Sequence, residues 1–159
     1  MTIKYLQQLK NNPIAYSKNN KELQFKIEGI PESEIQQLEL VWNNGDVFPK
    51  VLKELLFLAG NFCYVCDYGP NNNQQEMQEW VREHMKDNNR SINRPFFAFD
   101  VYGGDTFLFI YLDEGDNPTV FEAKPYSDDN NWIDTLAPQT IQSIINIGIN
   151  RVKIGQNPY

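Results

Sequence analysis

The sequence predicts an α+β fold, and three observations carry that prediction. Apolar residues recur at helical spacing in several blocks before position 90, three strand-like runs follow one another between residues 97 and 121, and no segment repeats. A chain of 159 residues is most simply a single domain, because that length buries about two-thirds of its unfolded surface in one core.

Taken in order, Ile3, Leu6 and Leu9 predict a first helix that ends at Asn11-Asn12-Pro13. Leu23, Phe25 and Ile27 alternate with polar residues, which predicts a short strand or extended arm running into Gly29 and Pro31. Ile35, Leu38, Val41 and Trp42, with Glu32 and Glu34 early, predict a helix over about 32–43. Asn43-Asn44-Gly45-Asp46 is a turn. Pro49 suits the start of the next helix, whose stripe of Val51, Leu52, Leu55, Leu56 and Ala59 ends at Gly60. The segment FCYVCDYG reads as a strand closing on Tyr68-Gly69-Pro70. Met77, Trp80, Val81, His84 and Met85 predict a third core helix reaching about Lys86.

After Arg94-Pro95, the runs Phe97 to Val101, Thr106 to Leu112 and Thr119 to Phe121 predict an antiparallel meander. Gly103-Gly104 between the first two is expected to form a two-residue hairpin turn, where glycine supplies positive φ at least cost. Asp128-Asp129-Asn130-Asn131 is a loop. Trp132, Leu136, Ile141, Ile144, Ile145 and Gly148 predict a final helical region, interrupted near Ala137-Pro138.

The charge is unevenly placed. Of a net −7, residues 95–139 hold nine acids against the single base Lys124, or −8, and the remainder sums to +1. Such a field repels nucleic acid and anionic lipid and attracts a basic protein, although it also serves solubility alone. No apolar run approaches the roughly 18 residues of a membrane span, and the start MTIKYLQQLKNN lacks the apolar core of a secretory signal, so a cytoplasmic protein is expected.

Several motifs invite chemistry and lose to plainer readings. Cys63 and Cys66 have the spacing of a zinc or redox pair, but in a strand residues three apart face opposite sides, and no second cysteine pair exists; buried structural thiols are expected. His84 sits among helix-spaced core residues with no nucleophile signature nearby. No phosphate-binding glycine loop occurs. Asp113, Glu114 and Asp116 crowd one loop, yet their spacing does not suit a calcium loop and fits a solvated turn.

The succession Glu34-Ile35, Leu38-Glu39, Phe48-Pro49 leading to Leu55-Leu56, then Gly60, resembles the first half of the SUKH superfamily in its Smi/Knr-like branch. The second half is similar too: Phe97 to Asp100, then Gly103-Gly104-Asp105, Phe107 to Leu112, and Pro118-Thr119-Val120-Phe121. The likeness spans roughly residues 30–150, with residues 1–29 as an N-terminal helix and arm and 151–159 as a tail.

The resemblance implies a mixed, largely antiparallel sheet with helices packed against it. It also implies an interaction module, in bacteria an immunity protein that neutralises a cognate toxin, often a nuclease, and it brings no catalytic residue, cofactor or metal. A nuclease presents a basic surface to phosphates. An acidic partner would therefore dock through Asp105, Asp113, Glu114 and Asp116, with Tyr102 or Tyr111 as aromatic anchors. The alternative on the same likeness is a scaffold or regulatory module without a toxin partner.

Overall fold

The computed structural model describes residues 1–17, 22–103, 105–128 and 130–158. Eleven elements follow in the order α1 (Gln7–Asn11), β1 (Ile14–Tyr16), β2 (Gln24–Lys26), α2 (Glu32–Trp42), α3 (Lys50–Ala59), α4 (Gln74–Asp87), β3 (Phe96–Tyr102), β4 (Thr106–Tyr111), β5 (Thr119–Ala123), β6 (Ile133–Thr140) and α5 (Ile141–Lys153). This is an α+β architecture with antiparallel sheets. One sheet is the β1–β2 hairpin and the other is a meander in the order β3-β4-β5-β6.

Both faces of the meander are covered, which is why FFAFDV and FLFI are almost continuously apolar instead of alternating. Phe97, Phe99, Leu108, Ile110 and Val120 face the core built by α1, α3 and α5, including Leu6, Leu52, Leu55 and Ile145. Phe96, Phe107, Phe109 and Ala123 face Met77, Val81 and Met85 of α4. The four phenylalanines 97, 99, 107 and 109 are at most 1% exposed, so the sheet is the centre of the molecule.

The register of β3 on β4 shifts between Ala98 and Asp100. Such a bulge turns the following side chains to the opposite face. Asp100 now lies opposite Leu108 on the α5 side, where strict alternation from Phe97 and Phe99 would have sent it to α4.

β3 is an edge strand whose outer hydrogen-bonding groups are occupied from outside the sheet. The Gln78 amide donates to the Ala98 carbonyl at 2.7 Å and accepts from its N–H at 3.0 Å. Arg82 donates to the Phe96 carbonyl at 3.1 Å, and the Val101 N–H donates to the Asp67 carbonyl at 2.6 Å. The Arg82 guanidinium, stacked over the rings of Trp42 and Phe96, is pushed down to about 10 by burial.

Two helices start on side-chain caps. Asn73 accepts from the Glu76 N–H at the start of α4, and Thr140 with Ser143 forms a capping box on α5. Glu54, fully buried on α3, accepts from the backbone N–H groups of Lys4, Tyr5 and Leu6 at 2.6, 2.8 and 2.9 Å and so fastens the chain leading into α1. Gly29 lets the arm lie against α3: a Cβ there would meet the Phe57 carbonyl oxygen at 1.8 Å.

Three expectations are corrected, and one element was not anticipated. FCYVCDYG is a turn-rich connection and not a strand; only Phe62 and Tyr68 make isolated bridges, to Glu28 and Val101. Residues 133–140 form strand β6 where a broken helix was expected, and the helix begins only at Ile141. Tyr102 pairs with Thr106, so residues 103–105 make a three-residue connection, with Gly103 at φ 65° as its composition requires. Gly104, Asp129 and Tyr159 lie outside the described residues. Finally, Ile14–Tyr16 forms a strand that pairs with β2, which the sequence pattern did not anticipate.

Candidate functional site

The six expected partner contacts lie along one hairpin but at its opposite ends. β4 spans six residues, so the ends stand roughly 17 Å apart at about 3.4 Å per residue. Tyr102 and Asp105 sit at one end; Tyr111, Asp113, Glu114 and Asp116 sit at the other. The four acids are exposed and the two tyrosines half-buried.

At the first end, the Tyr102 hydroxyl donates to Glu122, which also pairs with Lys124. Burial pushes the Tyr102 hydroxyl well up, and the bond to Glu122 adds to this. Burial pushes Glu122 up, but Lys124 and Tyr102 outweigh it and hold that carboxyl below its ordinary value. Asp105 accepts from the Thr106 hydroxyl at 3.2 Å.

At the second end, Arg94 stacks over the Tyr111 ring with its guanidinium 3.8 Å from the centroid. The same guanidinium pairs with Asp113 and, at 3.1 Å, with Glu114. Its hydrogen bond lowers the Asp113 carboxyl. Asp116 plays a structural part as well, because its carbonyl accepts from the Val51 N–H at 3.0 Å near the start of α3. The hairpin therefore presents two acidic patches instead of one, and the larger is partly neutralised by a cation from the same chain.

The cysteine pair also behaves differently from expectation. Because residues 62–69 turn, the Cys63 and Cys66 side chains meet; that hydrogen bond, followed by burial, raises the Cys66 thiol. Both are free and buried. They line a cavity of about 650 Å³ together with Tyr16, Phe25, Phe62 and Tyr64. Among the described residues, no group of three or more His, Cys, Asp or Glu side chains is placed to hold a metal ion. His84 is held within its helix surroundings: Nδ1 lies 3.0 Å from the Trp80 carbonyl and its ring lies against the Trp80 ring at 3.6 Å.

A second cavity, of about 320 Å³, opens between the sheet and α5. Leu108, Leu136, Ile144 and Ile147 supply apolar wall, and Asp100, Tyr102, Glu122 and Arg151 supply the polar groups. Asp100 is only 3% exposed, and its Oδ1 has no hydrogen-bond partner. Burial pushes its carboxyl up to about 8, against the opposing pull of a hydrogen bond from the Asp67 backbone and with the further push of the Asp67 charge.

Sequence reasoning counted Asp100 only as one of the nine acids of residues 95–139 and missed this cavity. The sole available signal was an aspartate inside the otherwise apolar seven-residue strand β3. Compared with protein-family models, curated proteins and solved structures, the chain matches none.

Proposed function

We propose that the protein is a non-enzymatic interaction module of the Smi/Knr-like branch of the SUKH superfamily, acting as a cytoplasmic immunity protein that binds and neutralises a bacterial toxin with a basic, nuclease-type surface. The antiparallel meander with helices on it agrees with the fold that this resemblance implies. One observation carries the docking surface: Asp105, Asp113, Glu114 and Asp116 are all exposed within the segment that holds the chain's negative charge. Opposed charge of this kind speeds association and makes it sensitive to salt.

The placement of Arg94 sharpens the picture. In the free protein it partly screens Asp113 and Glu114, so a toxin arginine or lysine competes with it. Among the described residues, no helix is long and apolar enough to cross a membrane.

The test is co-expression with the toxin domain encoded beside the gene, scored by survival and co-purification. Changing Asp113, Glu114 and Asp116 together to Lys is expected to abolish protection and the salt dependence of binding while leaving the urea midpoint unchanged. Protection that survives this reversal with the same salt dependence removes the acidic loop from the interface. An absence of any toxin beside the gene, with binding to cellular proteins instead, favours the scaffold reading.

A further inference from the structure

We propose that the cavity between β3 and α5 is a binding site for a small primary aliphatic amine, whose ammonium group is received by Asp100 and whose hydrocarbon body lies against α5 and β6. This goes beyond the proposed toxin-binding role and needs no protein partner to be tested.

Four observations converge. First, the bulge at Ala98/Asp100 points Asp100 into the cavity, away from the α4 face. Bulges commonly re-aim a side chain in this way at working sites. Second, the carboxyl is buried with one oxygen unpartnered. A buried polar atom with no partner costs about 1–3 kcal/mol, and a ligand donor at Oδ1 removes that cost.

Third, the enclosure suits a small molecule. Its volume of about 320 Å³ is at the lower end of the roughly 300–1,000 Å³ of ligand pockets. Leu108, Leu136, Ile144 and Ile147 line it. Fourth, the charges define the sign of the ligand. With Asp100 ionised, and with Lys124 shared between Glu122 and Asp134, three carboxylates (Asp100, Glu122, Asp134) stand against two cations (Arg151, Lys124), which leaves room for one positive charge.

Glu122 is already engaged by Tyr102 and Lys124. Asp100 is therefore the group left to receive the ligand. Nearby Asp67 and Cys66 bear on it from the 62–69 connection; Asp67 adds negative charge, and the raised Cys66 thiol stays neutral.

The proton balance follows from the burial of Asp100. At neutral pH the carboxyl is mostly protonated, being pushed up to about 8. An incoming ammonium keeps its three protons, the carboxyl proton leaves to solvent, and an ion pair with a charge-assisted hydrogen bond forms. Binding at pH 7 thus releases about one proton, and affinity rises about tenfold from pH 7 to pH 9 as the carboxylate population grows, below the titration of the amine itself.

The experiment titrates n-hexylamine into the full chain by calorimetry at pH 7 and pH 9, in buffers of different ionisation enthalpy. The expected result is saturable binding, release of about one proton at pH 7, and an affinity about tenfold higher at pH 9. Hexanol, which has the same hydrocarbon without the charge, is expected to bind at least tenfold more weakly at pH 9. Asp100→Asn is expected to lose at least tenfold in affinity and all of the pH gain.

Ile147→Trp, at a half-exposed wall position on α5, is expected to block binding in a protein that keeps its Asp100, which covers the case in which the asparagine variant fails to fold. Hexylamine and hexanol binding alike, no proton release, or full affinity in either variant would overturn the assignment.

Discussion

Glu54 and Asp100 are both carboxylic acids with almost no solvent exposure, at 0% and 3%, and the structure treats them in opposite ways. Glu54 receives three backbone N–H groups, with the Lys50 ammonium 3.9 Å away. Asp100 has one oxygen with no partner and two acidic neighbours in Asp67 and Glu122. Burial costs both groups their hydration. At Glu54 the chain offsets that cost with its own donors, and the result is a clamp between α3 and the N-terminus. At Asp100 the Asp67 backbone offsets only part of it and Oδ1 stays unpartnered, a state that calls for an explanation.

The comparison breaks or sharpens in three measurements. The largest effect is expected from Glu54→Ala, which orphans three donors at once and should lower stability by about 4 kcal/mol in urea unfolding. Asp100→Asn should lower it by far less at pH 4 and raise it relative to wild type at pH 8, where the buried carboxylate ionises. Equal losses would mean that Asp100 is also a structural group.

An effect of similar size lies in pH. In the unfolded chain Asp100 ionises near its ordinary value of 3.8, whereas in the folded chain it ionises near 8. The folded state therefore binds more protons across that window, and its stability falls as pH rises from about 4 to 8. The loss is on the order of 5 kcal/mol. Subtracting the Asp100→Asn unfolding curve from the wild-type curve isolates it, and a difference that is flat from pH 4 to 8 would contradict the unpartnered state of the carboxyl.

The smallest effect is at Lys50. Its ammonium is about a third exposed and at the outer limit of an ion pair, so Lys50→Met should change stability by less than about 0.5 kcal/mol. A larger loss would show that the cation, and not the backbone donors, holds Glu54.

Much of this fold was legible from spacing. α2, α3 and α4 fall where their apolar stripes place them, and the strands of the meander follow their apolar runs. The misreading of β6 has a local cause: Trp132, Leu136 and Ile141 imitate a helical interval, while only Leu136 lies within the strand, an edge whose residues are half-buried or exposed. Period alone does not separate the two at that length. β1 was invisible because, unlike β2, its three residues have no alternating apolar flank to extend the pattern.

Glu54 could have been found. It sits three positions after Val51 and one before Leu55 on the buried stripe of α3, and a charge on such a face needs partners. Asp100 stood out only as an aspartate in an apolar strand; its direction depends on a one-residue bulge that nothing in FFAFDVY announces. The cysteine argument failed for a related reason. It assumed an extended backbone, and the turn at residues 62–69 joins side chains that a strand would have separated.

The occupied edge of β3 has a consequence for association. Gln78, Arg82 and Asp67 take the places that another chain's backbone would need. Strand addition, whether by a peptide or by a second molecule beginning a fibril, is closed on that side. It is left to β6, where Pro138 offers no amide hydrogen. The sheet thus has one growing end at most, and a blunted one.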